Sequence, residues 1–247
     1  MSKTNKKIKV LCTMSGGVDS SVAAALLVAQ GYDVTGAFMV NYEDTNDTNA
    51  TDANIRMDNR DNCWLGDYQD ALRVAAKLGI PLLRWDFVKE YRESVLDYMY
   101  DEYKAGRTPN PDVLCNKFVK FGFWLDKAKE SGFDFIATGH YARLGREIRN
   151  SKFEIRNKFK NQNYKLLEAK DDNKDQTYFL HQLNQKQLQH ILFPIGNYTK
   201  PEVRKMAKKF GLPNAGKEES MGIKNLSSIY GDRPGQIDNS ELEGVNE

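Results

Sequence analysis

The sequence has few of the residues that would tie it to a disulfide scaffold, a zinc site or a membrane. Its 247 residues include three cysteines, Cys12, Cys63 and Cys115, which are widely spaced and form no CxxC pair. An odd, scattered set argues against disulfides and structural zinc and leaves a reactive thiol as the alternative. No apolar run approaches the length that crosses a bilayer. The basic start has no apolar stretch behind it, so we expect a cytoplasmic protein with no membrane partner.

The charge balance says little on average and more locally. The formal net charge is only +2, but residues 143–170 hold nine Lys and Arg against three Glu. Such a stretch either attracts a phosphate backbone or is a solvated face. It also contains EIRN twice at a seven-residue interval, which indicates a short duplicated insert.

Strands alternate with helices along the chain. Ile8–Met14 and Asp33–Val40 have the apolar pattern of strands, and between them Val18–Gln30 has apolar residues on one helical face. A strand–helix–strand unit implies parallel strands with a right-handed crossover. The alternation continues and predicts an α/β fold with a doubly wound, mainly parallel sheet. Further strands are predicted over 81–87, 133–138 and 164–169, and further helices over 67–78, 90–103 and 116–130, with one more opened by the capping box 199–202.

The segment SGGVDS, Ser15–Ser20, follows a strand and opens a helix. Gly16 and Gly17 let the backbone curl so that its N–H groups face an anion, and the helix terminus adds partial positive charge. No lysine follows the glycines, so this is not a Walker A loop. An ordinary tight turn is the alternative, but the strand-to-helix context favours a phosphate loop. Asp19 either helps to place Mg²⁺ or caps the helix.

SGGVDS is shared by enzymes that split ATP between its α- and β-phosphates, and longer segments resemble tRNA-specific 2-thiouridylases. The resemblance covers about Ile8 to Ile223, with the segments in the family's order. They are GAFMVNY, AGRTPNPDVLCNKFVKFG, FDFIATGHYARL, KDQTYFLHQL and FPIGNYTKPEVRKMAKKFGLP.

The resemblance implies an adenine nucleotide α-hydrolase-like, Rossmann-like fold and a two-step reaction. ATP, accompanied by Mg²⁺, adenylates the C2 oxygen of the wobble uridine of tRNA, and persulfide sulfur then displaces AMP. The sulfur comes from a donor protein, either a sulfur relay protein or a cysteine desulfurase. The resemblance implies that ATP is bound by Thr13, Met14, Ser15, Gly16, Gly17, Val18, Asp19, Ser20, Met39 and Gly139. It implies contact with the target base by Asn110, Pro111 and Asp112, and catalysis by Cys115 with Asp112. It also implies contact with the tRNA by Lys174, Asp175 and Gln176. No separate metal site is expected.

Cys115 is the residue on which the sulfur chemistry depends. A predicted helix start and the nearby Lys117 and Lys120 would both favour its thiolate, whereas a buried structural thiol is the alternative. Cys12 fits a core position. Cys63 is either a free surface thiol or a cysteine that closes the polar loop. His140 either touches the nucleotide or is structural.

The sequence departs from the family at Lys224, where a second, persulfide-bearing cysteine is expected. Beyond it nothing resembles the family. We therefore expect residues 1–216 to form the nucleotide-binding domain, with inserts near 43–62 and 145–163. Residues 217–247 would be the remnant of a second domain plus an acidic tail, as in a truncated or frameshifted product. Lysine cannot carry sulfane sulfur, so thiolation by this chain alone should be severely impaired while ATP binding survives.

Three functions follow from these features. The first is an ATP-dependent tRNA sulfurtransferase. The second is another adenylating enzyme of the same fold, such as an amidotransferase-type synthetase or a lysidine-forming ligase, against which the cysteine of NPDVLCN argues. The third is a non-catalytic remnant that binds ATP or RNA. Pyrophosphate release that depends on tRNA separates the first from the third.

Overall fold

The computed structural model describes residues 7–41, 64–148 and 162–219. The chain divides into two compact units, Met1–Lys217 and Glu218–Glu247. The polar loop with Cys63, residues 149–161 with most of the two EIRN repeats, and the segment with Lys224 lie outside the described residues.

Among the strands of the main sheet, strands and helices alternate as the sequence predicts. The strands are β1 Lys9–Thr13, β2 Asp33–Val40, β3 Leu82–Asp86, β4 Phe135–Ala137, β5 Arg143–Ile148, β6 Gln162–Leu167 and β7 Ile191–Leu192. The α-helices are α1 Val18–Ala29, α2 Leu65–Leu78, α3 Val88–Tyr91, α4 Asp97–Lys104, α5 Pro111–Leu114, α6 Trp124–Glu130, α7 Gln185–Leu188 and α8 Lys200–Lys209. A π-helical segment, Arg92–Leu96, joins α3 to α4, a second, Cys115–Phe123, joins α5 to α6, and Thr177–Leu180 is a 3₁₀ turn.

Five parallel strands form the main sheet, in the order β3-β2-β1-β4-β7. The predicted doubly wound α/β fold is confirmed. The strand order reverses between β1 and β4, and in such sheets ligands bind outside the carboxyl ends of the strands at this reversal. β5 and β6 form a separate antiparallel pair. The insert predicted near residues 145–163 begins within β5 and ends within β6.

The two faces of the sheet carry separate apolar clusters, because side chains alternate along a strand. Val10 and Cys12 of β1 lie in the cluster that includes α1 and α8, whereas Leu11 points to the cluster formed by the helical run from Cys115 to Ala128. Cys12 is fully buried, which confirms its core position, and burial raises the pKa of its thiol to about 12.

Candidate functional site

The loop between β1 and α1 lies at the reversal point of the sheet. Gly16 has a φ of +76°, and a Cβ on it would overlap the backbone carbonyl of Asp67. A side chain is therefore excluded twice, by the backbone conformation and by the neighbour. Inside the loop the Ser15 N–H donates to Ser20 Oγ at 3.2 Å, and Ser20 Oγ donates to the Gly17 carbonyl at 3.2 Å. These bonds hold the curl in place.

The amino terminus of α1 fits an anion. Gly17 is the N-cap residue in an extended conformation, and among the described residues no side chain caps this helix. The N–H groups of Val18, Asp19 and Ser20 have no acceptor within the helix, because the first turn of any α-helix leaves them unpaired. Unpaired donors and the positive end of the helix dipole together suit phosphate oxygens. The alternative that Asp19 caps the helix is wrong.

The Asp19 carboxylate faces a distant lysine. Lys200 Nζ lies 2.8 and 2.7 Å from the two Asp19 oxygens, and the Tyr141 hydroxyl donates to Oδ1 at 3.0 Å. Lys200 is the first residue of α8, and its side chain is only 12% exposed. The cation that the loop sequence lacks is therefore supplied from 181 positions further along the chain. The capping box predicts where α8 begins, but no sequence signal predicts that its lysine reaches this loop.

Asn214 and Lys217 make a second set of contacts that hold the loop in place. Asn214 Nδ2 donates to the Gly16 carbonyl and to Ser21 Oγ, both at 2.9 Å. Lys217 Nζ pairs with Asp67 and Asp70 at 2.6 Å each. The loop is thereby fixed before any ligand binds, which lowers the entropic cost of binding.

The loop after β4 closes the other side of the site. A Cβ on Gly139 would lie 2.7 Å from Ser20 N and 2.9 Å from the Asp19 carbonyl carbon, so only glycine allows this approach. Met39 is half-buried near the carboxyl end of β2. The Met14 side chain is buried at 1% exposure in the cluster that includes α1 and α8, which leaves its backbone as the part that can meet a nucleotide.

Asn110 and Pro111 start the helix that carries Cys115. Asn110 Oδ1 accepts the Val113 N–H at 3.3 Å, and Pro111 occupies the first turn. The sequence-based start at residue 116 is wrong, because proline breaks a helix interior but suits its first turn. Cys115 therefore lies one turn inside the helix, after the exposed Asp112.

The environment of Cys115 differs from the expected one. Its side chain is 7% exposed and belongs to the apolar cluster that contains Leu11, on the face of the sheet opposite α1, and burial raises the pKa of the thiol. Lys120 lowers that pKa and Asp112 raises it further. Lys117 instead lies over the Phe118 ring, 4.7 Å from its centroid. The expectation of a favoured thiolate is wrong for the protein as it stands, and of the two lysines named from the sequence only Lys120 acts on the sulfur.

His140 has structural partners. Its Nδ1 lies 2.8 Å from Thr138 Oγ1, and its ring lies against Phe121 and Phe193 with centroids 6.0 and 6.2 Å away. Burial, and secondarily the Lys120 ammonium, hold the pKa of His140 well below its ordinary value. Lys120 thus lowers the pKa of both Cys115 and His140.

The turn that carries Lys174, Asp175 and Gln176 is bonded to the site by its own side chains. Asp175 Oδ1 accepts the Ala169 N–H at 2.7 Å, and Oδ2 accepts the Thr177 hydroxyl. Gln176 exchanges two 2.9 Å bonds with the backbone of Tyr141. Lys174 is half-buried. Asp175 and Gln176 therefore position this turn, in addition to any role towards RNA.

No group of three or more His, Cys, Asp or Glu side chains could hold a metal ion in the described ranges. In the same part of the chain, no helix is long and apolar enough to span a membrane.

The fold and the loop define a class: a doubly wound α/β domain with a preformed anion site at the reversal point of its sheet. The chain belongs to the tRNA methyl transferase HUP domain family, whose model matches residues 8–227.

Curated relatives are similar over most of the chain. A tRNA-specific 2-thiouridylase of Geobacillus kaustophilus is 47% identical over 223 residues, which cover 90% of this chain and 54% of that protein. One from Levilactobacillus brevis is 48% identical over 219 residues, covering 89% and 52%. The chain thus spans about half the length of these relatives. Among solved structures, the NMN synthetase of Francisella tularensis matches with a TM-score of 0.46 and 16% identity over 96% of this chain and 72% of that one, a likeness too weak to support an argument.

Proposed function

We propose that this chain carries out ATP-dependent 2-thiolation of the wobble uridine of tRNA when a separate donor supplies the sulfur. The observation that carries the proposal is the position of Tyr141, which joins the two halves of the site. Its hydroxyl binds Asp19 in the phosphate loop. Its backbone binds Gln176, which directly precedes the 3₁₀ turn Thr177–Leu180 that packs against α5. The 2-thiouridylases among the relatives support sulfur transfer, rather than methyl transfer, as the chemistry.

ATP would lie along the β1–α1 loop. The unpaired N–H groups of α1 suit the phosphates, while Gly139 and Met39 border the space for the nucleoside. Asp19 would help to hold Mg²⁺, whose chemistry when bound is to neutralise charge on the phosphates. Lys200, now paired with Asp19, is placed to take up phosphate charge.

The target base would meet Asn110, Pro111 and Asp112. The C2 oxygen of uracil attacks the α-phosphorus, a new O–P bond forms, and pyrophosphate leaves with the electrons of the broken bond. The exposed Asp112 carboxylate would accept the N3 proton that the base loses as its oxygen is adenylated. Lys174, with the turn that Asp175 and Gln176 position, would contact the rest of the tRNA.

Sulfur would then replace the activated oxygen. A sulfur nucleophile attacks C2, the C2–O bond breaks, and AMP leaves with the former uracil oxygen. If the sulfur arrives as a persulfide, its S–S bond must also break. The Cys115 thiolate would do this by bonding to the donor cysteine, and a thiol reductant then reduces that disulfide. Because Lys224 cannot hold sulfane sulfur, the donor cysteine would belong to a separate protein, a sulfur relay protein or a cysteine desulfurase.

The test uses the purified chain with Mg²⁺-ATP and an unmodified tRNA transcript that has uridine at the wobble position. We expect pyrophosphate release that requires the transcript. With a persulfide donor protein and a thiol reductant, or with excess sulfide, mass spectrometry of the digested tRNA should detect 2-thiouridine.

Matched variants separate the two steps. Cys115→Ser should keep tRNA-dependent pyrophosphate release and lose 2-thiouridine formation from the persulfide donor, whereas free sulfide needs no S–S cleavage and should rescue it. A wild-type chain that releases no pyrophosphate with tRNA, or that binds no ATP, would contradict the proposal.

A further inference from the structure

The Tyr178 ring is the most exposed large aromatic or aliphatic side chain in the described part of the protein. Its exposure is 64%, against 44% for Tyr98 and Phe123, which lie on helix surfaces. Tyr178 lies instead in the short turn Thr177–Leu180. Exposing a tyrosine to this extent forgoes the free energy that its burial would give, so a ligand that covers it would recover that energy.

The ring is held in place from behind. The His181 imidazole stacks on it with a centroid distance of 5.6 Å and an interplanar angle of 29°, and His181 Nδ1 lies 2.6 Å from the Tyr178 carbonyl oxygen. Phe179 packs edge-on at 5.5 Å, and Leu180 anchors the turn at 1% exposure. An aromatic ring that is already ordered loses little conformational entropy when a second flat group stacks on it.

The turn lies beside the helix that carries the proposed base contacts. It packs against α5, and Asn116 Nδ2, next in sequence to Cys115, donates to the Phe179 carbonyl oxygen at 3.2 Å. Asn116 is 2% exposed, so this bond is an internal one. Tyr178 is thus fixed relative to Asp112 and Cys115.

The neighbouring surface is suited to RNA. Phe118 is 39% exposed and has the Lys117 ammonium over its ring. Both oxygens of the Asp175 carboxylate already accept hydrogen bonds within the protein, from the Ala169 N–H and the Thr177 hydroxyl. Exposed aromatic rings with cations between them are the usual recognition surface for unpaired nucleotides, because every base has a face that stacks.

We infer that the Tyr178 ring, backed by the His181 imidazole, is a stacking platform for a nucleobase of the RNA substrate, adjacent to the uridine that is modified. This inference rests on the proposed function, since it assumes a tRNA whose anticodon bases are unpaired. It assigns Tyr178 to a neighbouring base and leaves the target uridine to the Asn110–Asp112 segment.

The experiment measures the affinity of the whole chain for a fluorescently labelled tRNA transcript by anisotropy. Tyr178→Ala should weaken binding by about 5- to 100-fold, the range expected for one base–aromatic stack. Tyr178→Phe keeps the ring and should bind as the wild type does. Tyr98→Ala removes a tyrosine from an exposed helix surface and is the matched control. The slope of affinity against salt concentration should be the same for Tyr178→Ala and the wild type, because stacking releases no counterions.

The outcomes distinguish this inference from the proposed function. A wild-type chain without tRNA affinity overturns both. If the wild type binds tRNA and Tyr178→Ala binds it with equal affinity, the stacking platform is overturned and the proposed function is not. The exposed ring would then be a contact for a protein partner. A loss in Tyr178→Phe equal to that in Tyr178→Ala would mean that the hydroxyl, and not the ring, binds the RNA. Unchanged ATP affinity in every variant shows that the fold is intact.

Discussion

At the residue scale, the ion pair between Lys200 and Asp19 is the feature that most changes the interpretation of the phosphate loop. The loop sequence contains a carboxylate and no cation, a poor combination for binding triphosphate. With Lys200 within 2.8 Å of Asp19, the loop is close to neutral before the nucleotide arrives. The pair is partly buried, at 12% and 30% side-chain exposure, so solvent screens it less than a surface pair.

Replacing Lys200 tests this electrostatic role. Lys200→Ala leaves the Asp19 carboxylate without its cation, and we expect ATP affinity to fall by about tenfold or more, since a hydrogen bond to a charged group is worth about 1.5–3 kcal/mol. Lys200→Arg keeps the charge and should retain most of the affinity. Isothermal titration calorimetry with Mg²⁺-ATP measures both. The exposed Lys205 on the same helix is the control, and an equal loss in Lys205→Ala would contradict the role given to Lys200.

Also at the residue scale, Lys120 is expected to control the reactivity of Cys115. Because burial raises the pKa of the thiol, Cys115 is protonated at neutral pH, and its alkylation by iodoacetamide should accelerate steadily as pH rises above 7. Lys120→Met removes the charge that lowers this pKa and should slow alkylation at pH 8 by about two- to tenfold. Mass spectrometry of the Cys115 peptide gives the rate.

Lys117 provides the control for that experiment, because its ammonium lies over Phe118. Lys117→Met should alkylate at the wild-type rate. If both variants slow equally, the effect comes from the general charge of the helix and not from the position of Lys120.

At the element scale, the loop after β4 and the start of α1 must approach each other closely. Gly139→Ala would place a methyl group 2.7 Å from a backbone nitrogen, and backbone cannot move aside as a flexible side chain can. Overpacking of this kind costs about 1–3 kcal/mol, so ATP affinity should fall at least severalfold by calorimetry. A Cβ on Gly66 in α2 meets nothing within 4 Å, so Gly66→Ala should bind ATP normally. Normal binding by Gly139→Ala would contradict the close approach.

Elements with a local signal were predictable from sequence, and those set by distant contacts were not. The Thr199–Glu202 capping box predicted the start of α8, and both capping bonds are present. The helix predicted over 116–130 omits α5, although Asn110 caps α5 and Pro111 occupies its first turn. The two-residue strand β7 is too short to show a period, and only its partner β4 defines it.

At the scale of the whole molecule, the site is assembled by contacts that cross most of the chain. Asn214 reaches back to Gly16 and Lys200 reaches back to Asp19, over separations of 198 and 181 residues. The motif singles out the loop residues proposed to bind the nucleotide, and the sequence pattern predicts a helix over 116–130 but not its extension back to Pro111. The burial of Cys115 cannot be predicted from the sequence. The positions of Lys117 and Lys120 show that two cations lie nearby along the chain, but they do not show the apolar side chains that surround the thiol.

The central claim is that this molecule activates a uracil oxygen by transferring AMP to it, and an isotope label tests that claim most directly. The transcript carries ¹⁸O at O2 of the wobble uridine, and the chain converts it with ATP and excess sulfide. We expect AMP that contains one ¹⁸O for each 2-thiouridine formed, because the C2–O bond breaks and the O–P bond stays. Label in orthophosphate, or 2-thiouridine formed with unlabelled AMP, would contradict it.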